Sequence, residues 1–306
     1  MHERAGQPAQ PQDLVDVEAL LSAYYDIVPD VNQPNQKVVF GTSGHRGTSL
    51  AGTFNEAHIV SITAAIVDYR KEQGTDGPLF IGADPHALSE PAWRTALEVL
   101  SAAGVDTRID SRRSWTPTPA VSLAILEANG APDALRQTGP GLADGIVITP
   151  SHNPPTDGGF KYNPPTGGPA QSDATTWIAK RANEYLAGDW RKVARDHTSN
   201  PEDIPNVKFY DFTTRYVEAL DSIIDFDAIR DAGVRIGADP MGGAAVDYWG
   251  AIGERYGLDL EVVNPAVDPQ WTFMTLDWDG KIRMDCSSPY AMASLLEIMS
   301  PDEEAQ

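Results

Sequence analysis

Ser151, His152 and Asn153 sit in a run framed by prolines at 150, 154 and 155, with Gly158, Gly159 and Lys161 close behind. The prolines fix the backbone on both sides of the serine and remove competing conformations. A serine presented this way can act as a nucleophile or carry a phosphoryl group. Its hydroxyl is weakly nucleophilic until a base or a cation assists it. His152 and Lys161 are the nearby groups for polarisation or proton transfer. By local chemistry alone, a rigid proline turn with a surface serine accounts for these residues equally well.

A second candidate is Gly41-Thr42-Ser43-Gly44-His45-Arg46-Gly47. Its glycines let the backbone approach a ligand and turn amides toward an anion. Arg46 adds a planar, permanently charged fork suited to phosphate oxygens. A glycine-rich turn with a solvated arginine is the competing account. Neither the P-loop lysine nor the dinucleotide glycine spacing is present. In a third stretch, Asp277-Trp278-Asp279-Gly280 has too few oxygen donors for a calcium loop, so a β-turn is expected there. The histidines are scattered, without zinc-site spacing, and His58 reads as packed or solvated within a helix.

The elements that must hold these residues alternate strand and helix. The run 37–40 reads as a strand, 55–73 as a helix, 79–81 as a strand and 144–149 as the strand leading into the serine loop. Ser89 is expected to cap a helix, another follows Thr116-Pro117-Thr118-Pro119, and 172–187 reads as amphipathic. Residues 1–12 read as a mobile tail, and Asp13 as the cap of a helix bearing Val17, Leu20 and Tyr24. A polar stretch at 188–207 suggests a boundary. Beyond it a helix runs through Tyr216, Leu220 and Ile223, followed by strand 234–238, helix 243–256 and strand 258–263. The expected organisation is an N-terminal tail and helix over 1–36, a first α/β domain over 37–200 and a second over 205–306. Ile81-Gly82-Ala83-Asp84-Pro85 recurs as Ile236-Gly237-Ala238-Asp239-Pro240, which favours a duplicated strand–helix unit.

Composition narrows the partners. The 306 residues carry a formal charge of −21, which argues against nucleic acid and against an anionic membrane surface. Local cations and helix N-termini still permit a small anionic ligand. The single cysteine, Cys286, allows no intrachain disulfide. Without an apolar leader or spanning run, a cytoplasmic location is expected.

Taken together, the glycine-rich loop, Asp84-Pro85-His86-Ala87-Leu88-Ser89, Thr116-Pro117-Thr118-Pro119, the stretch 144–155, Lys161-Tyr162-Asn163-Pro164-Pro165, Asp239-Pro240-Met241-Gly242-Gly243 and Phe273-Met274-Thr275-Leu276-Asp277 resemble the α-D-phosphohexomutase family. Within it they are most similar to the bacterial glucose-specific phosphoglucomutases. The Gly-His-Arg form of the first loop and the stretch 273–286 favour these over the mannose and glucosamine enzymes.

The resemblance implies layered α/β domains with mixed sheets flanked by helices, the first complete and the second incomplete in this chain. It implies a phosphoserine at Ser151 that exchanges its phosphoryl group with a hexose phosphate. Glucose 1-phosphate and glucose 6-phosphate would interconvert through glucose 1,6-bisphosphate. Arg46 and Lys161 would flank the transferring group, and His152 would shape the loop. Thr42, Ser43, Gly44, His45 and Asn153 would bind substrate or phosphate. Mg²⁺ would be held by the phosphorylated Ser151 and by an Asp-x-Asp-x-Asp-Arg run expected beyond Gln306. A chain without that run is expected to be inactive alone. The alternatives are a non-catalytic phosphosugar-binding fragment and a phosphomannomutase or phosphoglucosamine mutase.

Overall fold

The computed structural model describes residues 1–41, 44–130, 138–198 and 200–299. Six strands form one mixed sheet: β1 (Gly44–Gly47), β2 (Leu79–Ala83), β3 (Thr107–Asp110), β4 (Asp144–Ile148), β5 (Gly158–Asn163) and β6 (Val207–Tyr210). Their order is β1-β5-β4-β2-β3-β6. Strands β4, β2, β3 and β6 run parallel, while β5 pairs antiparallel with both β4 and β1.

Alternation along the strands gives each face its own core. Leu79, Ile81, Ile146 and Ile148 point toward α2 (Glu56–Gln73), α3 (Ser89–Ala102) and α5 (Ser172–Ala187). Phe80 and Val147 point the other way, onto Val121, Ala124 and Ile125 of α4 (Thr118–Asn129). Helix α2 is bounded by Asn55, in a reciprocal capping box with His58, and by Gly74 in the left-handed region. It is buried nearly all round, lying against both α3 and α5.

After β6 come α6 (Phe212–Ala219), α7 (Phe226–Asp231), β7 (Ile236–Ala238), α8 (Val246–Tyr256), β8 (Leu260–Val262) and α9 (Ala293–Met299). β7 and β8 form a separate parallel pair. Phe212 and Tyr248 from this later part complete the core over α4. Because β6 pairs with β3, the six-stranded sheet takes in residues beyond the polar stretch 188–207.

Several local expectations are corrected. The strand expected over 37–40 is displaced: Phe40 makes an isolated bridge to His45, and the strand is the glycine-rich segment 44–47. Its ladder with β5 outweighs the poor strand propensity of glycine. Asp16, rather than Asp13, caps α1 (Val17–Asp26), while Asp13 pairs with Arg4 at 2.7 Å. Ser89 is the first residue of α3 and gives its hydroxyl to Asp84 instead of capping. Ile223 is exposed, beyond the end of α6. Residues 1–12 are no free tail, since Gly6 donates to Leu276 O at 2.7 Å, Leu276 to Gln7 O at 2.9 Å and Ala9 to Met274 O at 3.0 Å. At 277–280 the expected turn is present, with Gly280 at φ +80° and its amide on Asp277 O.

Candidate active site

The serine loop is the tip of the β4–β5 hairpin. Thr149 closes the ladder by donating to Gly159 O at 2.9 Å. Two residues on, Ser151 has φ +71° and is exposed. A left-handed non-glycine residue costs about 1–2 kcal/mol and persists only where its surroundings fix it. Here the Ser151 amide donates to Thr149 Oγ1 at 2.8 Å, and Asn153 Nδ2 donates to Asp157 Oδ2 at 2.9 Å.

Beside the loop, β1 and β5 bring the expected cations together. Arg46 pairs with Gly159 and Gly44 with Lys161, so all four share one face of the sheet. Arg46 is exposed, whereas Lys161 is half-buried. Burial, and after it the Arg46 charge, hold the Lys161 ammonium below the usual lysine range against the opposing pull of Asp84. A lysine so tuned reaches its neutral, proton-accepting form more readily.

His45 is placed differently. Its ring is buried in the core, with Nε2 donating to Thr53 O at 2.8 Å and Nδ1 3.3 Å from the Val39 amide. It stacks between Phe54 and His58, and burial pushes its pKa down to about 4. The ring is thus neutral and ties β1 to Val39 and Thr53 from within the core. Thr42 and Ser43 lie outside the described residues.

Ser151 and His152 open onto a cavity of about 450 Å³ at the carboxyl ends of β2 and β4. One wall is Asp84, Pro85 and His86, with Thr116 to Thr118 and Thr149. The facing wall comes from the later part of the chain: Asp239, Pro240 and Met241, the residues before α8, Trp271, and Met284 to Cys286. The two copies of the repeated pentapeptide therefore face one another. Each aspartate accepts from the amide two residues on, His86 N at 3.0 Å and Met241 N at 2.8 Å. Arg46, Lys161 and Asn153 stand outside the cavity lining, although Lys161 feels the charge of Asp84 on that wall. Asp285 sits close enough to His152 to feel its charge, and hydrogen bonds from Ser287 hold its carboxyl below the usual range.

Sequence reasoning did not single out Asp84, His86 or Trp271 as site residues. Yet His86 Nδ1 lies 2.9 Å from Asp84 Oδ2, and its Nε2 lies 3.1 Å from Asn153 O in the serine loop. Trp271 tilts over the imidazole at 4.6 Å and donates to Met241 O at 3.0 Å. The repeat of Asp84-Pro85 as Asp239-Pro240 was the signal that marked this wall.

The described residues do not assemble a metal site. No group of three or more His, Cys, Asp or Glu among them is placed to hold an ion. The three cavity carboxylates are already engaged by backbone or hydroxyl donors.

The family model for phosphoglucomutase/phosphomannomutase, alpha/beta/alpha domain I, matches residues 37–189. The chain belongs to this family. A phosphoglucomutase from Komagataeibacter xylinus is 54% identical over 292 residues, covering 95% of this chain and 52% of that protein. A cytoplasmic phosphoglucomutase from Bromus inermis is 30% identical over 204 residues, 62% of this chain and 34% of that one. The chain therefore spans about half the length, or less, of the curated relatives it matches. Among solved structures, a putative phosphomannomutase from Thermus thermophilus superposes with a TM-score of 0.68 at 22% identity, over 87% of this chain and 53% of that one. Parafusin, a phosphoglucomutase from Paramecium, gives 0.65 at 21%, over 90% and 50%. These two share the family fold.

Proposed function

We propose that this chain supplies the phosphoserine half of a phosphoglucomutase, with Ser151 as the phosphoryl carrier and a hexose phosphate as substrate. The observation that carries this reading is the placement of Ser151: exposed, left-handed, and opening onto a cavity of suitable size for a sugar phosphate. The 54% identity to a phosphoglucomutase across 95% of the chain supports the choice of glucose phosphates. The match over 37–189 supports a first domain near the expected 37–200, and because β6 joins its sheet, the second unit is read as starting after Tyr210 rather than at 205.

In this reading the Oγ–P bond of phosphoserine breaks as an O–P bond forms to the free 6-hydroxyl of glucose 1-phosphate. The hydroxyl proton passes to a base and the serine oxygen regains a proton. The product, glucose 1,6-bisphosphate, turns over and returns its 1-phosphate to Ser151, leaving glucose 6-phosphate. Lys161, on the sheet face it shares with Arg46 beside the serine loop and with its pKa lowered, is the group we assign to proton transfer, while Arg46 offsets phosphate charge. His152 and Asn153 shape the loop, and Gly44 gives the Lys161 stem room. Mg²⁺ would offset phosphate charge when bound, but the described residues do not build its site. Among the described residues no helix is long and apolar enough to cross a membrane, and we place the chain in the cytoplasm with its plant relatives of that name.

The test is phosphate uptake. The purified chain is incubated with glucose 1,6-bisphosphate and its intact mass measured. One phosphate adduct is expected, mapping to Ser151 and discharged by glucose 1-phosphate in slow single turnovers, without the sustained mutase cycle. An adduct that persists in Ser151→Ala would show that another residue is the carrier.

A further inference from the structure

His86 is almost fully buried, and both of its ring nitrogens meet oxygens. Nδ1 faces the Asp84 carboxylate at 2.9 Å and Nε2 faces the Asn153 carbonyl at 3.1 Å. A carbonyl has no proton to give. Burial opposes a charge on Asp84, yet its carboxyl is held below the usual range, with Oδ1 accepting from the His86 amide at 3.0 Å and from the Ser89 hydroxyl at 2.6 Å. Both nitrogens must therefore donate, which makes the ring an imidazolium. A buried cation of this kind is tolerable only when paired, and Asp84 supplies the pair. The charged groups near His86 are Asp84 and, from the serine loop, Asp157. Asp239, Asp285 and His152 line the same cavity, and the Trp271 ring over the imidazole is uncharged.

The pair reaches both feet of the serine turn. Thr149 Oγ1 accepts from the Ser151 amide at 2.8 Å and lies close enough to Asp84 to help lower its pKa. Asn153, on the other side of Ser151, is held through His86. One carboxylate at the end of β2 thus neighbours residue 149 and, through His86, holds residue 153, with the left-handed Ser151 between them.

We propose that His86 is the positioning residue of the serine loop, donating from both ring nitrogens so that Asp84 and Asn153 are bridged and Ser151 is kept turned into the cavity. The role rests on the reading of Ser151 as carrier, but its structural content does not. Without the bridge the loop keeps its prolines and the Thr149 contact, yet loses its only described tie at Asn153 to the first cavity wall. Ser151 would then sample ordinary right-handed or extended conformations, which a non-glycine residue prefers.

Two measurements test this without using phosphoryl transfer. In long-range ¹H–¹⁵N spectra at pH 6.5, where a free imidazole is about half protonated, His86 is expected to carry both protons. Asp84→Asn should remove one of them. A neutral His86 in the folded wild-type chain would overturn the proposal. In amide hydrogen exchange, His86→Gln should speed exchange within 149–157 on the order of tenfold, the effect of one charge-assisted hydrogen bond. Protection in α2 and α5 should not change. Should His86→Gln fail to fold, Asp84→Asn supplies the same comparison. If His86→Gln exchanges and takes up phosphate like the wild type, the positioning role is wrong while Ser151 stands as carrier. If the wild type takes up no phosphate, the carrier reading fails and the spectra still decide the role of His86.

Discussion

Lys161 on β5 lies directly across from Gly44 on β1, and a Cβ at residue 44 would come within 2.7 Å of the lysine Cγ and 2.5 Å of Phe160 O. The glycine-rich loop thus contributes an absence of side chain, which lets the Lys161 stem cross the strand. Gly44→Ala is expected to push the stem aside and strain the ladder, destabilising by about 1–3 kcal/mol as overpacking does. Urea unfolding measures that cost. Phosphate uptake at Ser151 should fall further than stability alone accounts for, because the base is displaced.

Lys161 also sets a pH dependence. Burial and then Arg46 lower its pKa, so the neutral base becomes available at a pH below the ordinary lysine range. Discharge of phospho-Ser151 by glucose 1-phosphate should rise through that lowered pKa and then level off. Arg46→Met removes the repelling charge, which lets the Lys161 pKa climb. The rising limb of the pH–rate profile should therefore move to higher pH in Arg46→Met. A limb that stays in place would show that Lys161 is not the titrating group.

The left-handed Ser151 predicts a conflict between stability and function. Glycine adopts φ +71° without steric cost, while its extra freedom in the unfolded chain takes back part of the gain. Ser151→Gly should therefore leave the chain as stable as the wild type or more so, by up to about 1 kcal/mol. Ser151→Val, with a branched Cβ, should destabilise it. Differential scanning calorimetry of the two variants separates this from a loop without strain, where both would behave alike.

The parts of this fold legible in the sequence are those whose cause is local. Helix α5 was readable from Trp177, Ile178, Ala182 and Leu186 at helical spacing, and its bounds match residue for residue. Strands β2 and β4 were readable as short apolar runs between turns, and Ser151 as a residue framed by prolines. What escaped depends on distant partners. The segment 44–47 becomes a strand because β5, more than a hundred residues on, offers it a ladder. His86 gains its place from Asn153, 67 residues away, and no spacing rule connects them. His45 was expected to bind substrate or phosphate by resemblance alone, but alternation along β1 turns it into the core while Arg46 faces out.

The N-terminal segment yields a prediction of the same long-range kind. Residues 2, 6, 7 and 9 exchange backbone hydrogen bonds with 274, 276 and 278, and Ala9 and Leu14 pack on the cluster around Trp271 and Leu276. Deleting residues 1–9 should cost about 2–4 kcal/mol, at roughly 1 kcal/mol net per hydrogen bond. Amides at 274–282 should lose exchange protection, and with them the cavity wall at Met284 to Cys286. A deletion without effect on either measure would return this segment to the status of a tail.

Acid should unfold the chain through two histidines that play no direct part in transfer. His58 Nδ1 accepts from the Asn55 amide at 3.1 Å, and its Nε2 donates to Gln36 O at 2.9 Å, so the ring is held neutral in the α2 capping box. Its stacking partner His45 is held neutral by the same burial. Burial lowers the pKa to about 3 for His58, aided by the His45 charge, and to about 4 for His45, against 6.5 for a free imidazole. Below 6.5 the unfolded chain therefore binds protons that the folded chain refuses, so stability is full above that pH and falls as pH drops toward the folded values. The two groups together remove several kcal/mol, on the order of 1.4 kcal/mol per pH unit for each. His58→Gln keeps a donor and an acceptor but cannot titrate. Its unfolding free energy, measured from pH 7 down to pH 4, should decline with roughly half the wild-type slope, even if it begins from a lower value. A variant curve parallel to the wild type would assign the acid lability to other groups.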